Sequence, residues 1–432
     1  MTRILLAALA LLIATPAAAQ LSKAEARIAV AVDADQDRTI ALLERLVNQN
    51  SGSLNLPGVD AIAAMVRPEF AALGFDVRWI DMRATGRAGH LVATHRGNGR
   101  GKRILLIGHL DTVFEPSSPF QKFVRTGDRA TGPGVIDDKG GIAVIVMALR
   151  AMQSAGTLKE ADIVVVLTGD EERTGAPMDV ARKDLIDAGK WADIAFEFEP
   201  LVSENGTDYG SIARRSSSNW TLTVKGRTGH SSGVFGPELG YGAIYELARI
   251  LDSFRRELAE PNLTYNVGVA GGGTPATIDD KGLAIASSGK TNIVAETAIA
   301  RGDLRSLTPE QDARARTRMT AIVAQNLPGT SATIVFSEGY PSMPPTEGNR
   351  ALLGRLNLVN KDLGLPVMPE YDPAKRGAAD SSFVAADVDV LAGMGAAGGG
   401  SHAEGEWIDL TSIPKQAKRL AILMTRLSRE KR

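Results

Sequence analysis

Residues 161–175 read ADIVVVLTGDEERTG. From Ile163 to Leu167 the run is wholly apolar, and turn residues close it at Gly169. A strand with one wet face alternates apolar and polar side chains. A strand covered on both faces does not, and this run has no alternation. It therefore predicts a central strand with helices packed on both sides. Working outward, FDVRWID (75–81), HLVATHR (90–96), RILLIGH (103–109), ADIAFEF (192–198) and VDVLAGMG (388–395) read as further strands. Helical periodicity runs through 23–49, 59–72, 139–154 and 412–428, the last with Pro414 in its first turn. Strands alternating with helices argue an α/β domain with a mostly parallel sheet.

The middle of the chain differs. From about 216 to 339 the order is strand (219–226), helix (240–257), strand segments to 303, helix (309–326) and strand (332–338). That suits a compact α+β unit inserted into the α/β domain, with GYPSMPPTEG (339–348) as the return linker. The expected organisation is a leader at 1–19, a first catalytic part at 20–215, an inserted unit at 216–339 and a second catalytic part at 340–432. The leader is read from Arg3, the twelve-residue apolar run ILLAALALLIAT (4–15), Pro16 and the Ala17-Ala18-Ala19 cleavage pattern before Gln20. A run that short does not span a bilayer as a helix. Export to a periplasm or the medium, with cleavage near Ala19, is the expectation. Cleavage removes Arg3 and takes the formal charge from −1 to −2.

Composition narrows the function. Length 432 is too great for one ordinary core. With 44% hydrophobic and 23% charged residues the chain is globular, not disordered. Lys+Arg number 49 against 50 Asp+Glu, so no basic excess exists to hold nucleic acid. There is no later apolar stretch long enough for a membrane span. There is no Cys, which excludes disulfides, thiol catalysis and thiolate metal ligands. Any metal must be held by His, Asp and Glu.

Such residues gather at the C-terminal ends of the predicted strands, where open α/β sheets place ligands. GHLDTVF carries His109 and, two residues on, Asp111, which can reach the same imidazole and fix its tautomer. GPGVIDDKGG carries Asp137 and Asp138, either helix-start caps or a carboxylate shared by two cations. LTGDEE carries Asp170, Glu171 and Glu172. Neighbouring carboxylates repel unless a cation or proton lies between them, so the alternatives are a solvated turn or a metal ligand beside a free base. In FEFEP, Glu197 and Glu199 face one side of a strand and need a partner if buried. GGGSHAEGEWID adds His402. His90 and His95 carry no partner signal and read as structural or surface residues. Taken together, His109, Asp137, Glu172, Glu199 and His402 form a set of N/O ligands, with Glu171 left over as a base. That suits zinc or a similar divalent ion.

In order and spacing, His109-x-Asp111, Gly132-Pro-Gly-x-x-Asp137-Asp138-Lys139-Gly140-Gly141, Glu171-Glu172, Glu199-Pro200 and the late His402 resemble the aminoacylase/carboxypeptidase G family of dinuclear zinc exopeptidases. The Asp-Asp-Lys-Gly-Gly form is most similar to its glutamate carboxypeptidase branch. The resemblance implies two Zn2+ (or Co2+ or Mn2+), one held by His109, Asp137 and Glu199, the other by Asp137, Glu172 and His402. It implies that Asp111 orients His109, that Glu171 is general base and then proton donor, and that His230 in Gly-His-Ser polarises the scissile carbonyl, often across a homodimer. It further implies that Asn292 and Arg305 hold the substrate carboxylate, and that Asp380 shapes the floor. Two departures stand out. Pro275–Thr291 separates Gly272-Gly273-Thr274 from Asn292, and Gly377-Ala378-Ala379-Asp380 lacks the usual Thr or Ser.

The expected activity is release of a C-terminal amino acid from a peptide or N-acyl amino acid. The rivals are an aminopeptidase or di-/tripeptidase on the same scaffold, a non-catalytic exported metal- or solute-binding protein, and a structural interaction protein with solvated acidic turns. A spare Glu171 beside a ligand has no purpose in the non-catalytic binding protein.

Overall fold

The computed structural model describes residues 21–432; the expected leader, residues 1–19, lies outside the described residues. A six-stranded mixed sheet runs in the order Asp76–Asp81, Gly89–His95, Asp162–Thr168, Arg103–His109, Ile194–Glu197, Val390–Leu391. The last four strands are mutually parallel, and the first two form an antiparallel edge. All seven residues of Asp162–Thr168 are buried, as the unbroken apolar run required. Period two still operates inside it. Ile163, Val165 and Leu167 enter one core with Ile104 and Leu106, whereas Val164 and Val166 enter another with Leu105 and Ile107. Helices Lys139–Ala155 and Ser412–Leu427 cover the first face, and Lys183–Trp191 contributes Leu185 and Ala188 to the second.

Two elements differ from the sequence reading. The periodic stretch 23–49 is two helices, Lys23–Ala34 and Gln36–Asn48, interrupted at Asp35. The Asp35 carboxylate takes Thr39 Oγ1 and the guanidinium of Arg150, both at 3.0 Å. The 388–395 strand shrinks to Val390–Leu391. A Cβ at Gly395 would stand 2.0 Å from the Phe198 carbonyl oxygen, so glycine allows the chain to leave the sheet there, against the residue preceding Glu199.

The middle segment forms a separate antiparallel sheet, in the order Thr264–Gly273, Thr297–Arg305, Ser217–Gly226, Thr330–Tyr340. Trp220, Leu222 and Val224 alternate onto one face and meet Ile250 and Phe254 of helix Gly242–Glu257 and Met319 of Pro309–Val323. This unit thus has its own apolar core. The added stretch before Asn292 contains a short hairpin, Ala276–Ile278 with Ile285–Ser287. Among the described residues no helix is long and apolar enough to cross a membrane.

Candidate metal centre

Three strand ends and one returning loop converge above the parallel half of the large sheet. Arg103–His109 delivers His109, Asp162–Thr168 leads into Glu171 and Glu172, and Ile194–Glu197 leads into Glu199. The fourth contribution comes through a small sheet in which Trp407–Asp409 pairs with Arg129–Thr131 and Gly398–Gly399. That sheet lays the 132–138 loop beside His402. Glu406 locks the two together by accepting the amides of Gly134, Ile136 and Asp137 at 3.3, 2.8 and 3.2 Å.

Asp137 sits in the middle. Its Oδ1 is 3.0 Å from His109 Nε2, and its Oδ2 is 3.2 Å from His402 Nε2. His402 Nε2 is in turn 3.1 Å from Glu172 Oε2. Single ligand atoms of His109, Asp137 and Glu172 lie within 4.8 Å of one another, and so do those of His109, Glu171 and Glu199. The five predicted ligands and Glu171 therefore share one site. The donors fit divalent cations on a further observation: among the described residues, Glu172 Oε1 is buried with no hydrogen-bond partner. A buried carboxylate oxygen left unpaired is costly, and a cation is the natural occupant.

Electrostatics point the same way. Bonds to Asp137 and Glu172 push His402 up to about 10. Burial disfavours charge on His109, but Asp111 and Asp137 outweigh it and hold the imidazole well above its usual range. Burial, against the pull of Arg214, pushes Glu199 up to about 7. Burial first and the charge of Glu199 second raise Glu171 well above an ordinary carboxyl. Carboxylates crowded this closely keep protons until a cation replaces them.

Asp111 acts somewhat differently from the expectation. His109 Nδ1 lies 3.1 Å from the Asp111 backbone carbonyl and 3.5 Å from its carboxylate. The carboxylate instead accepts Ser53 Oγ at 2.6 Å and the amides of Glu171 and Glu172 at 3.0 and 3.1 Å. It thus ties the acidic loop to the histidine strand as well as orienting the ring. His90 is structural: its Nδ1 accepts the Gly169 amide at 3.1 Å, which leaves Nε2–H to donate to Ala181 O at 2.8 Å.

The three residues expected to touch substrate from the middle unit stand apart. His230 is exposed, with Nδ1 2.9 Å from Ser232 Oγ. Asn292 is beside it, its carbonyl accepting the Ser231 amide at 2.9 Å. Arg305 spends its Nε on Asp303 at 2.9 Å. Among the described residues no hydrogen bond or ion pair joins any of them to the His109–His402 cluster.

Several supporting residues escaped the sequence reading. The partner that Glu197 and Glu199 required is Arg214, whose Nη2 reaches Glu197 at 2.8 Å and Glu199 at 2.6 Å. The signal was the Arg214-Arg215 pair just before a strand, an odd place for two cations. Arg214→Met should destabilise the fold by about 3–5 kcal/mol, because it strands two buried carboxylates. Chemical denaturation measures this, and a loss below 1 kcal/mol would contradict the buried-pair account. Tyr340, the last residue of its strand, donates its hydroxyl to Glu171 O at 2.8 Å and accepts Arg182 Nη2 at 2.7 Å. Arg182, fully buried, also pairs with Asp170 and with Asp380. No local pattern announces contacts across 158 residues or more of sequence.

Comparison with known proteins agrees with the geometry. A sequence profile for peptidase family M20/M25/M40 matches residues 105–426. The chain is 27% identical over 391 residues to carboxypeptidase G2 of Pseudomonas sp. (strain RS-16), covering 88% of this chain and 87% of that one. Its fold is similar to a tripeptidase from Staphylococcus aureus (TM-score 0.70, 19% identity, 91% of this chain and 99% of that one). It is also similar to a dinuclear metal-binding peptidase of the M20 family from Bacillus subtilis (TM-score 0.61, 14% identity, 91% and 98%). The resemblance read from the motifs is borne out: the chain belongs to peptidase family M20/M25/M40, a family of metallopeptidases.

Proposed function

We propose that the protein is an exported, zinc-dependent exopeptidase that releases a C-terminal amino acid from a peptide or an N-acyl amino acid. The observation that carries this reading is Asp137, whose two oxygens face two different histidines. A carboxylate so placed could be shared by two cations, an arrangement that recurs in amide hydrolysis. His109, Asp137 and Glu199 would hold one zinc, and Asp137, Glu172 and His402 the other. Bound cations would acidify water and polarise the scissile carbonyl. Glu171 would take the proton from the attacking water and return it to the leaving nitrogen. Burial and the charge of Glu199 raise its pKa, the direction a group that both takes and returns a proton needs.

His230 would stabilise the carbonyl oxygen, and Asn292 and Arg305 would receive the substrate carboxylate, since guanidinium and carboxylate pair bidentately. Because these three stand apart from the cluster, the middle unit would act as a lid, and in a homodimer His230 would serve its own or the partner site. The outer position of strand Thr264–Gly273 in its sheet supports pairing between copies. The chain would be cleaved near Ala19 and work in the periplasm or medium.

The test uses protein loaded with zinc or cobalt on N-blocked and C-amidated peptides. A carboxypeptidase cleaves the first and spares the second. Cleavage of C-amidated peptides with a free amine, and not of N-blocked ones, would replace this reading with the aminopeptidase or tripeptidase one.

A further inference from the structure

Tyr340 belongs to two parts of the molecule at once. Its backbone ends strand Thr330–Tyr340 of the middle sheet, one residue past the expected boundary, and pairs there with Ser217 at the start of the neighbouring strand. Its side chain leaves the middle unit. The ring packs edge-on against Phe383, with centroids 4.9 Å apart. The hydroxyl meets Glu171 O at 2.8 Å, Arg182 Nη2 at 2.7 Å and Thr174 Oγ1 at 3.0 Å. All four partners lie in the catalytic unit. The two chain crossings between the units run side by side here, where Arg214 and Met343 exchange both backbone hydrogen bonds at 2.9 Å. Any rotation of the middle unit has to turn about this pair.

Donor and acceptor chemistry fixes the direction of each bond. A carbonyl only accepts, so the phenol proton goes to Glu171 O. Arg182 only donates, and with the phenol proton spent, Thr174 donates as well. The single proton of Tyr340 therefore holds the backbone of Glu171. That backbone is pinned from two sides. Asp111 Oδ1 accepts the Glu171 amide at 3.0 Å from within the catalytic unit, and Tyr340 takes the carbonyl from the middle sheet. A residue held at both its amide and its carbonyl has its side-chain direction set. A phenol carried off with its strand would release one of the two.

We propose that Tyr340 is a positioning residue: its hydroxyl aligns Glu171 through the backbone carbonyl, and the alignment holds only while the middle unit stands where it brings Tyr340 onto that carbonyl. This rests on the assignment of Glu171 as base in the amide-hydrolase reading above. Seating a substrate with the middle unit and aligning the base then become one event.

Tyr340→Phe removes the hydroxyl and keeps the ring on Phe383. In the zinc-loaded protein, with N-blocked peptides as substrates, it should lower kcat by about 10–100-fold, leave KM within about threefold and leave metal content native. Thr174→Val takes a partner from the same hydroxyl but spares its bond to Glu171, so its kcat should stay within about threefold of native. Gly339→Ala disturbs the hinge without touching the bond. A Cβ there would stand 1.9 Å from Ser217 O, so the paired strands must part beside Tyr340. It should lower kcat in the same way as Tyr340→Phe. A second readout needs no turnover. Amide exchange across 171–175 should quicken by about tenfold in Tyr340→Phe, while 163–167 stays protected. A kcat loss below about threefold in Tyr340→Phe overturns the proposal, as does an equal loss in Thr174→Val, which would make the hydroxyl merely structural. Native kcat in folded Gly339→Ala would free Glu171 from the hinge, and unchanged exchange would deny the link itself. If the native protein cleaves no peptide, the amide-hydrolase reading fails, and exchange still decides whether Tyr340 holds the Glu171 loop.

Discussion

Glu171→Ala should fold normally, keep its metal, and lose turnover by about 10²–10⁴-fold or more. Its backbone is held from outside the side chain: Asp111 accepts its amide at 3.0 Å, and Tyr340 donates to its carbonyl at 2.8 Å. Removing the carboxyl therefore leaves the loop in place. The carboxyl is also repelled by Glu199 and Glu172, so its loss relieves the charge crowding and does not evict a cation. What disappears is the group that carries the proton from water to the leaving nitrogen. Metal analysis with steady-state kinetics on the same preparation checks both halves. Native turnover in a folded, metal-loaded variant would refute the base assignment, and a variant stripped of metal would make Glu171 a ligand.

Asp137→Asn tests the other half of the site. The side chain keeps its shape but loses its charge and one acceptor oxygen. Both histidines that face it, at 3.0 and 3.2 Å, lose an anionic neighbour at once. If Asp137 bridges two cations, metal content should fall below one per chain. Affinity should drop by more than the ~10–100-fold that changes around a ligand cost. Competition with a chelator measures this. Two tightly held ions per chain in Asp137→Asn would end the bridging account. Metal uptake by the native protein should also weaken as pH falls, because His109 and His402 must shed protons to become ligands.

Much of the candidate site was legible because His109, Glu171, Glu172 and Glu199 end or follow strands whose own pattern is strong. The apolar runs 104–107 and 163–167 fix two strand ends; His109 ends the first strand, and Glu171 and Glu172 follow the second just past the Gly169 turn. His402 is less direct: its strand shortened to Val390–Leu391, yet the glycine-rich return still brought it to Asp137. The roles of His230, Asn292 and Arg305 rest on motif resemblance, and these residues lie apart from the cluster. Glu406 and Tyr340 were not legible, and Arg214 showed only as a pair of cations with Arg215 before a strand, without its partners. Each satisfies a buried group distant in sequence, and no local periodicity records which distant carboxylate or carbonyl a side chain will meet.

The sequence by itself determined the two-sided burial of the central sheet, the separate core of the middle segment and which acidic and histidine residues gather in the candidate metal site. These depend on local hydrophobic period and on which residues end each strand. Only the tertiary structure decided how the cluster is held: Arg214 neutralising two glutamates, Asp111 clasping the Glu171 loop, and Glu406 fastening the Asp137 loop. The physical reason is that charge compensation inside a protein is settled by proximity after folding, between residues that the chain keeps far apart.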